Sequence, residues 1–291
     1  MIRARVIGTG EDHPLGTHLR RSTADSLRRE LSARNLERAK EYAHELTCGA
    51  VPSFIYSEYD NGLHGNFLAA SYRRICATPD WKKRLEKVYT ASHSVPRQMD
   101  RKRMELDCAN SSDALLMNVF CYPGVLARAS VCSMLGIERY ARAEFGVHPR
   151  TPLVGNKFDR TEIDLRLGDL LIEAKLTEGD FQTARPELVQ RYRDFDYIFE
   201  SDLLPFARGV FRSYQLIRGV LAAGALGCSF AVLCDQRRQD LVEDWYRVVS
   251  AVRSAGLRCR LKTLTWQELA RALPPKLQCF LEEKYGIAPV G

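Results

Sequence analysis

The sequence predicts a mixed α/β fold: a mixed central sheet with helices on both faces, preceded by a helical N-terminal region. Three observations predict it. Apolar residues recur at helical spacing over residues 14–46, switch to strand-like alternation around Gly168-Asp169, and from residue 206 onward alternate between helical and strand periods. An antiparallel meander followed by crossover helices is the arrangement that such an order builds.

In the N-terminal region, Leu27, Leu31, Ala39, Tyr42, Ala43 and Leu46 mark one or two amphipathic helices. A breaker at residues 49–53 and the turn-like YDNGLHGN at 59–66 interrupt them, and short helices follow at 67–76 and 80–89. The basic stretch 92–103 reads as a surface loop, so residues 1–109 form a helical region assigned to substrate recognition and residues 110–291 the core. Asn110-Ser-Ser-Asp113 is an N-cap cluster opening the apolar helix ALLMNVF, and Pro123-Gly124 separates this helix from a second, VLARASVCSML. Strands follow at 142–150, 161–167 and 170–176, then a helix at 206–226, a strand at 228–235, a helix at 240–255 and a strand at 258–264.

Composition excludes several classes. With 45% apolar and 27% charged residues the chain is an ordinary folded protein, and its net charge of +7 favours an anionic partner. Nine Cys without a C-x-x-C pair argue against a zinc ribbon or disulfide framework and for reduced thiols in the cytoplasm. The N-terminus lacks the apolar segment of a secretory signal, and the apolar run LIRGVLAAGALGCSFAVLC carries Arg218 and Gly residues, so no membrane span is expected. Histidines at metal-ligand spacing are absent, as are G-x-G-x-x-G and Walker loops.

The stretch TEIDLRLGDLLIEAKLTE carries the chemistry. Gly168 takes the positive φ that a two-residue hairpin turn requires, and this turn pairs Leu167 with Leu170, Leu165 with Ile172, Asp164 with Glu173 and Glu162 with Lys175. Ile163, Leu165 and Leu167 then share an apolar face with Leu170, Ile172, Ala174 and Leu176. On the other face a half-exposed hairpin would carry complementary charges. Instead Asp164 meets Glu173, and like charges about 5 Å apart at Cβ are destabilising unless neutralised. A divalent cation neutralises them: Asp164, Glu173 and the Ala174 carbonyl supply the hard oxygens that Mg²⁺ prefers. Lys175, on the same face, is placed to orient a water, to lower its pKa or to stabilise negative charge in a transition state.

These residues, Asp164 and Glu173-Ala-Lys175 on adjacent strands of a helix-meander-helix-strand order, resemble the active site of the PD-(D/E)XK nuclease superfamily over roughly residues 123–269. The resemblance implies a restriction-endonuclease-like three-layer core and a metal site of Asp164, Glu173 and the Ala174 carbonyl. It further implies that Lys175 is the base or electrostatic stabiliser. Ile163 stands where the family's name has Pro. Members often add an acid from the preceding helix, for which Glu138 and Glu144 are candidates, although each fits a surface or sheet-edge charge better. A Gln in the helix after the E-x-K strand is similar to the RecB-like branch, and Gln215 supplies it. Arg208 and Arg212 share its helical spacing, which suits phosphate contacts or a solvated face.

The expectation is a Mg²⁺- or Mn²⁺-dependent endonuclease acting on nucleic acid, DNA before RNA, with a homodimer left open as its assembly. The alternative is an inactive protein of the same fold that binds nucleic acid or a protein partner. Two other clusters read differently. Asp60 and His64 have no nucleophile beside them and read as structural. Trp81-Lys-Lys-Arg84, Lys87, Arg97, Arg101, Lys102 and Arg103 form the densest basic region, suited to backbone phosphates or to a solvated face with Trp81 anchored in the core.

Overall fold

A computed structural model of the chain describes residues 14–47, 51–58, 62–89 and 103–290, with side chains from residue 23 onward. Asp60, Arg97, Arg101, Lys102 and nearly all of the 92–103 stretch lie outside the described residues. The elements that position the site are α1 (Pro14–Ala39), α2 (Ser112–Phe120), β1 (Ala143–Val147), β2 (Ile163–Leu167), β3 (Leu170–Ala174), α3 (Tyr214–Leu226), β4 (Ser229–Cys234), α4 (Gln239–Ser250), β5 (Leu261–Thr265) and α5 (Pro275–Tyr285).

The five strands form one mixed sheet in the order β5-β4-β3-β2-β1. The first three make the antiparallel meander, and β4 and β5 then add in parallel, each after a helix. Leu165 pairs with Ile172 and Leu167 with Leu170, as the Gly168 turn demands.

Helices cover both faces. On one, Leu171, Phe230 and Val232 pack beneath Leu216, Ile217 and Val220 of α3 and Leu241, Trp245 and Val248 of α4. Gly219 lets α3 lie directly on the Phe230 ring, where a β-carbon would collide. On the other face, Leu165, Leu167, Leu170, Ile172 and Leu233 pack against Leu115, Leu116 and Val119 of α2 and Leu277, Leu281 and Tyr285 of α5. Leu27 and Leu31 carry α1 into the same core, so residues on both sides of position 109 contribute to it. The fold is therefore the mixed α/β architecture that the sequence predicts, with β3 at its buried centre.

Three local differences matter. Ile163, expected beside Leu165, packs with the opposite core. The β1–β2 ladder pairs Phe145 with Leu165 and Val147 with Ile163, and between them Gly146 takes φ 63°, which breaks the regular pleat. Residues 44–46 and 54–56 form a small antiparallel strand pair within the largely helical N-terminal region. Finally, the helix expected from residue 206 begins at Tyr214. Phe206–Ala207 and Val210–Arg212 form a hairpin whose Arg208-Gly209 turn has φ 54° and 78°, a turn of the tight hairpin class. Arg208 and Arg212 thus share no helical face with Gln215.

Candidate active site

The site forms where β2 and β3 stop pairing. Their ladder runs from Leu167–Leu170 to Leu165–Ile172 and ends there, one residue short of Asp164 on β2 and of Glu173 on β3. There the Asp164 side chain replaces the ladder: its Oδ2 accepts the Ala174 N–H at 2.8 Å. Lys175 continues along β4, donating its own N–H to the Leu233 carbonyl.

Because β3 is central, the charged groups on it and at its end are buried. Glu173 is 1% exposed and Lys175 6%, which rules out a solvated polar face. The Lys175 ammonium lies 2.9 Å from Glu173 Oε1 and 5.6 Å from the centre of the Phe181 ring. Burial alone would lower its pKa, but the Glu173, Glu178 and Asp164 carboxylates outweigh burial and hold the ammonium above the ordinary lysine range. Asp164 moves in the destabilised direction: burial, then the charges of Glu173 and Asp113, raise its carboxyl well above the usual value.

The expected Glu162–Lys175 pair does not form. Lys175 turns to Glu173, whereas Glu162 Oε1 meets Arg84 Nη2 at 2.5 Å and Lys87 Nζ at 3.0 Å. The same two cations hold Asp113 Oδ2, at 2.8 and 2.7 Å, and Lys87 also reaches Glu105 Oε2 at 3.1 Å. Arg84 and Lys87 are therefore internal counter-ions, neither a solvated face nor free phosphate ligands. Trp81 is anchored as expected, donating its indole N–H to the Ala143 carbonyl at 3.0 Å.

Asp113 is the acid that sequence reasoning missed. Ser111 caps α2 by accepting the Ala114 N–H at 3.1 Å, and the capping cluster that signals the helix start also buries Asp113 in its first turn, 4% exposed. An acid in an otherwise apolar helix was the available signal. Neither Glu138 nor Glu144 takes this place: both are exposed, and Glu144 stands opposite Arg166 on the sheet edge.

The loop after Lys175 is fastened from several elements. Trp266 Nε1 donates to the Lys175 carbonyl at 3.1 Å, and Glu178 accepts from Ser112 Oγ and the Leu176 N–H, both at 2.6 Å. Arg238, fully buried, donates to the carbonyls of Glu178 and Gly179 at 2.6 and 3.2 Å while pairing with Asp240. Gln215, in the first turn of α3, gives its main-chain N–H to the Phe181 carbonyl at 3.0 Å, which brings it one residue contact from Lys175. Arg208 is exposed at its hairpin tip, and Arg212 pairs with Thr183. His64 sits in a structural network, its Nε2 3.2 Å from Asp107 Oδ1 and its Nδ1 accepting the Asn66 N–H.

Among the described residues, no three His, Cys, Asp or Glu side chains converge as a metal cage. The donors at the splayed rung nevertheless suit a hard cation. Asp164 and Glu173 offer two carboxylates, the intervening residue Ala174 offers a carbonyl, and Asp164 has more negative charge around it than Lys175 offsets. Such a set leaves positions for water and substrate, as Mg²⁺ sites do.

No helix among the described residues is long and apolar enough to cross a membrane. Comparison with curated proteins and with solved structures returned no match. A family model described as Restriction Endonuclease associating with ARP matches residues 34–286, thus spanning α2, the whole central sheet and the Asp164, Glu173 and Lys175 positions. By that match over most of its length, the chain belongs to the family of restriction endonucleases associating with ARP.

Proposed function

We propose that the chain is a nuclease of the PD-(D/E)XK type, an endonuclease that hydrolyses phosphodiester bonds of nucleic acid, DNA before RNA. The observation that carries this reading is Glu173 and Lys175, buried and 2.9 Å apart, with Asp164 of the neighbouring strand bound at 2.8 Å to the N–H of Ala174 between them. Asp164, Glu173 and the Ala174 carbonyl would hold Mg²⁺ or Mn²⁺. When bound, such an ion polarises a phosphoryl oxygen and makes water a better nucleophile at neutral pH.

The chain's own groups then have distinct tasks. Lys175 keeps its proton, since three carboxylates surround it, so it acts as an electrostatic stabiliser of the pentavalent phosphate and orients the attacking water instead of accepting its proton. Glu173 fixes that ammonium. The Asp164 carboxylate is itself fixed by the Ala174 N–H, which limits reorganisation when charge develops. Gln215 at the start of α3, with Arg208 and Arg212 on the preceding hairpin, would contact phosphates flanking the scissile one, and residues 1–109 would add substrate recognition to the 110–291 core. The net charge of +7 suits a polyanionic substrate. The free thiols among the described residues suit the cytoplasm.

Purified protein is tested on DNA and RNA with Mg²⁺ and Mn²⁺. Glu173→Gln and Lys175→Ala are each expected to lower cleavage at least about 100-fold, in the range for lost electrostatic groups, with the fold retained. Absence of cleavage by the wild type with either metal and either nucleic acid refutes the reading. The family's name favours one alternative, a subunit that associates with an ARP partner and binds without cutting. That protein would co-purify with its partner and show no Mn²⁺ affinity sensitive to Asp164→Ala.

A further inference from the structure

Two further carboxylates beside the site, Asp113 and Glu162, are each held by two cations. Asp113 Oδ2 is shared by Arg84 Nη2 at 2.8 Å and Lys87 Nζ at 2.7 Å, and Glu162 receives both Arg84 η-nitrogens. The cations are deliberately accommodated. Gly146 stands between the Phe145–Leu165 and Val147–Ile163 rungs of β1 and β2, and a β-carbon there would run into the Arg84 guanidinium and lie 3.1 Å from Glu162 Oε2. Gly146 also takes φ 63°, so the strand surrenders both a side chain and its regular pleat where the guanidinium enters. Arg84 thereby enters at Glu162, the residue that leads into β2.

Two-metal phosphodiesterases place their ions about 3.5–4 Å apart, on carboxylates that serve both. Here the two acids of this cluster, Asp113 and Glu162, are each held by both Arg84 and Lys87, whereas Glu173 meets a single cation through Oε1. We infer that this centre takes a single divalent ion, on Asp164 and Glu173, and that Arg84 and Lys87 stand in the place of a second one. They are positioning residues: they keep Asp113 and Glu162 from binding metal and supply fixed positive charge on that side of the phosphate. The inference rests on the proposed metal site, and it assigns the N-terminal region a part in the chemistry.

The test counts Mn²⁺ bound per chain by calorimetry and by electron paramagnetic resonance, on the full chain. Wild type is expected to bind one ion, lost in Asp164→Ala. Arg84→Gln and Lys87→Met are each expected to admit a second, which Asp113→Asn in the same chain removes, whereas Arg84→Lys keeps the count at one. The wild-type count needs no variant to fold. Two ions in the wild type overturn this inference and leave the Asp164–Glu173 site standing; no ion removes both. Folded Arg84→Gln and Lys87→Met proteins that gain no second ion also overturn it.

Discussion

Replacing Glu162 by Gln removes one acid from the Arg84–Lys87 cluster while keeping its shape. Burial pushes the Glu162 carboxyl up, but hydrogen bonds and charge from Arg84 and Lys87 outweigh it and bring the pKa from 4.5 down to about 2. A group whose folded pKa is depressed stabilises the protein above its unfolded value and loses that contribution as pH falls through the folded one. At about 1.4 kcal/mol for each factor of ten in proton affinity, the fall is worth about 3 kcal/mol at pH 7. The side chain is 28% exposed, so most of this survives solvent screening. The same linkage leaves only about 1 kcal/mol at pH 3, because the unfolded carboxyl is already protonated there while the folded one is mostly ionised. Urea unfolding of wild type and Glu162→Gln at pH 7, 5 and 3 measures this. The stability difference should hold between pH 7 and 5 and more than halve by pH 3. A difference that is constant with pH, or below about 1 kcal/mol at pH 7, would show that the ion pairs are not what holds Glu162.

Three further outcomes follow from the packing. Gly146→Ala combines left-handed backbone strain with displacement of the Arg84 guanidinium and should cost about 2–4 kcal/mol. In an Arg84→Gln background the cost should fall, and a double-mutant cycle that shows strict additivity would deny the contact. Gly219→Ala drives a methyl into the Phe230 ring between α3 and the sheet, so urea unfolding should report about 1–3 kcal/mol lost. Asp164→Asn removes a carboxyl whose pKa is raised, so its ionised form costs stability above that pKa and nothing below about pH 4, where folded and unfolded forms are both protonated. The metal-free variant should therefore be more stable than wild type at neutral pH, an advantage absent at pH 4 and reversed by Mn²⁺. A neutral-pH loss of stability without metal would contradict the crowding of Glu173 and Asp113 around it.

What was legible follows from how far each feature reaches along the chain. The β2–β3 hairpin needs only Gly168 and the alternation on either side, and these were enough to give the Leu167–Leu170 and Leu165–Ile172 pairs from which the Asp164–Glu173 expectation was extended. The mixed sheet was legible for the same reason, since successive periods fix the order of elements even where their ends move. The segment FARGVFR was misread because its apolar residues run into those of α3, although Arg-Gly at a tight hairpin turn was the local cue. Arg84 was illegible in a deeper sense. Its partners lie 29 and 78 residues away, and a long flexible side chain pairs with whichever anion the packing delivers. A run of Lys and Arg therefore states that cations exist without stating whether the anion they meet is a phosphate, solvent or the protein's own carboxylates. Only Gly146, whose missing side chain and positive φ make room for the guanidinium, marks in the sequence that this arginine turns inward, and a glycine in a strand announces a close approach without naming what approaches.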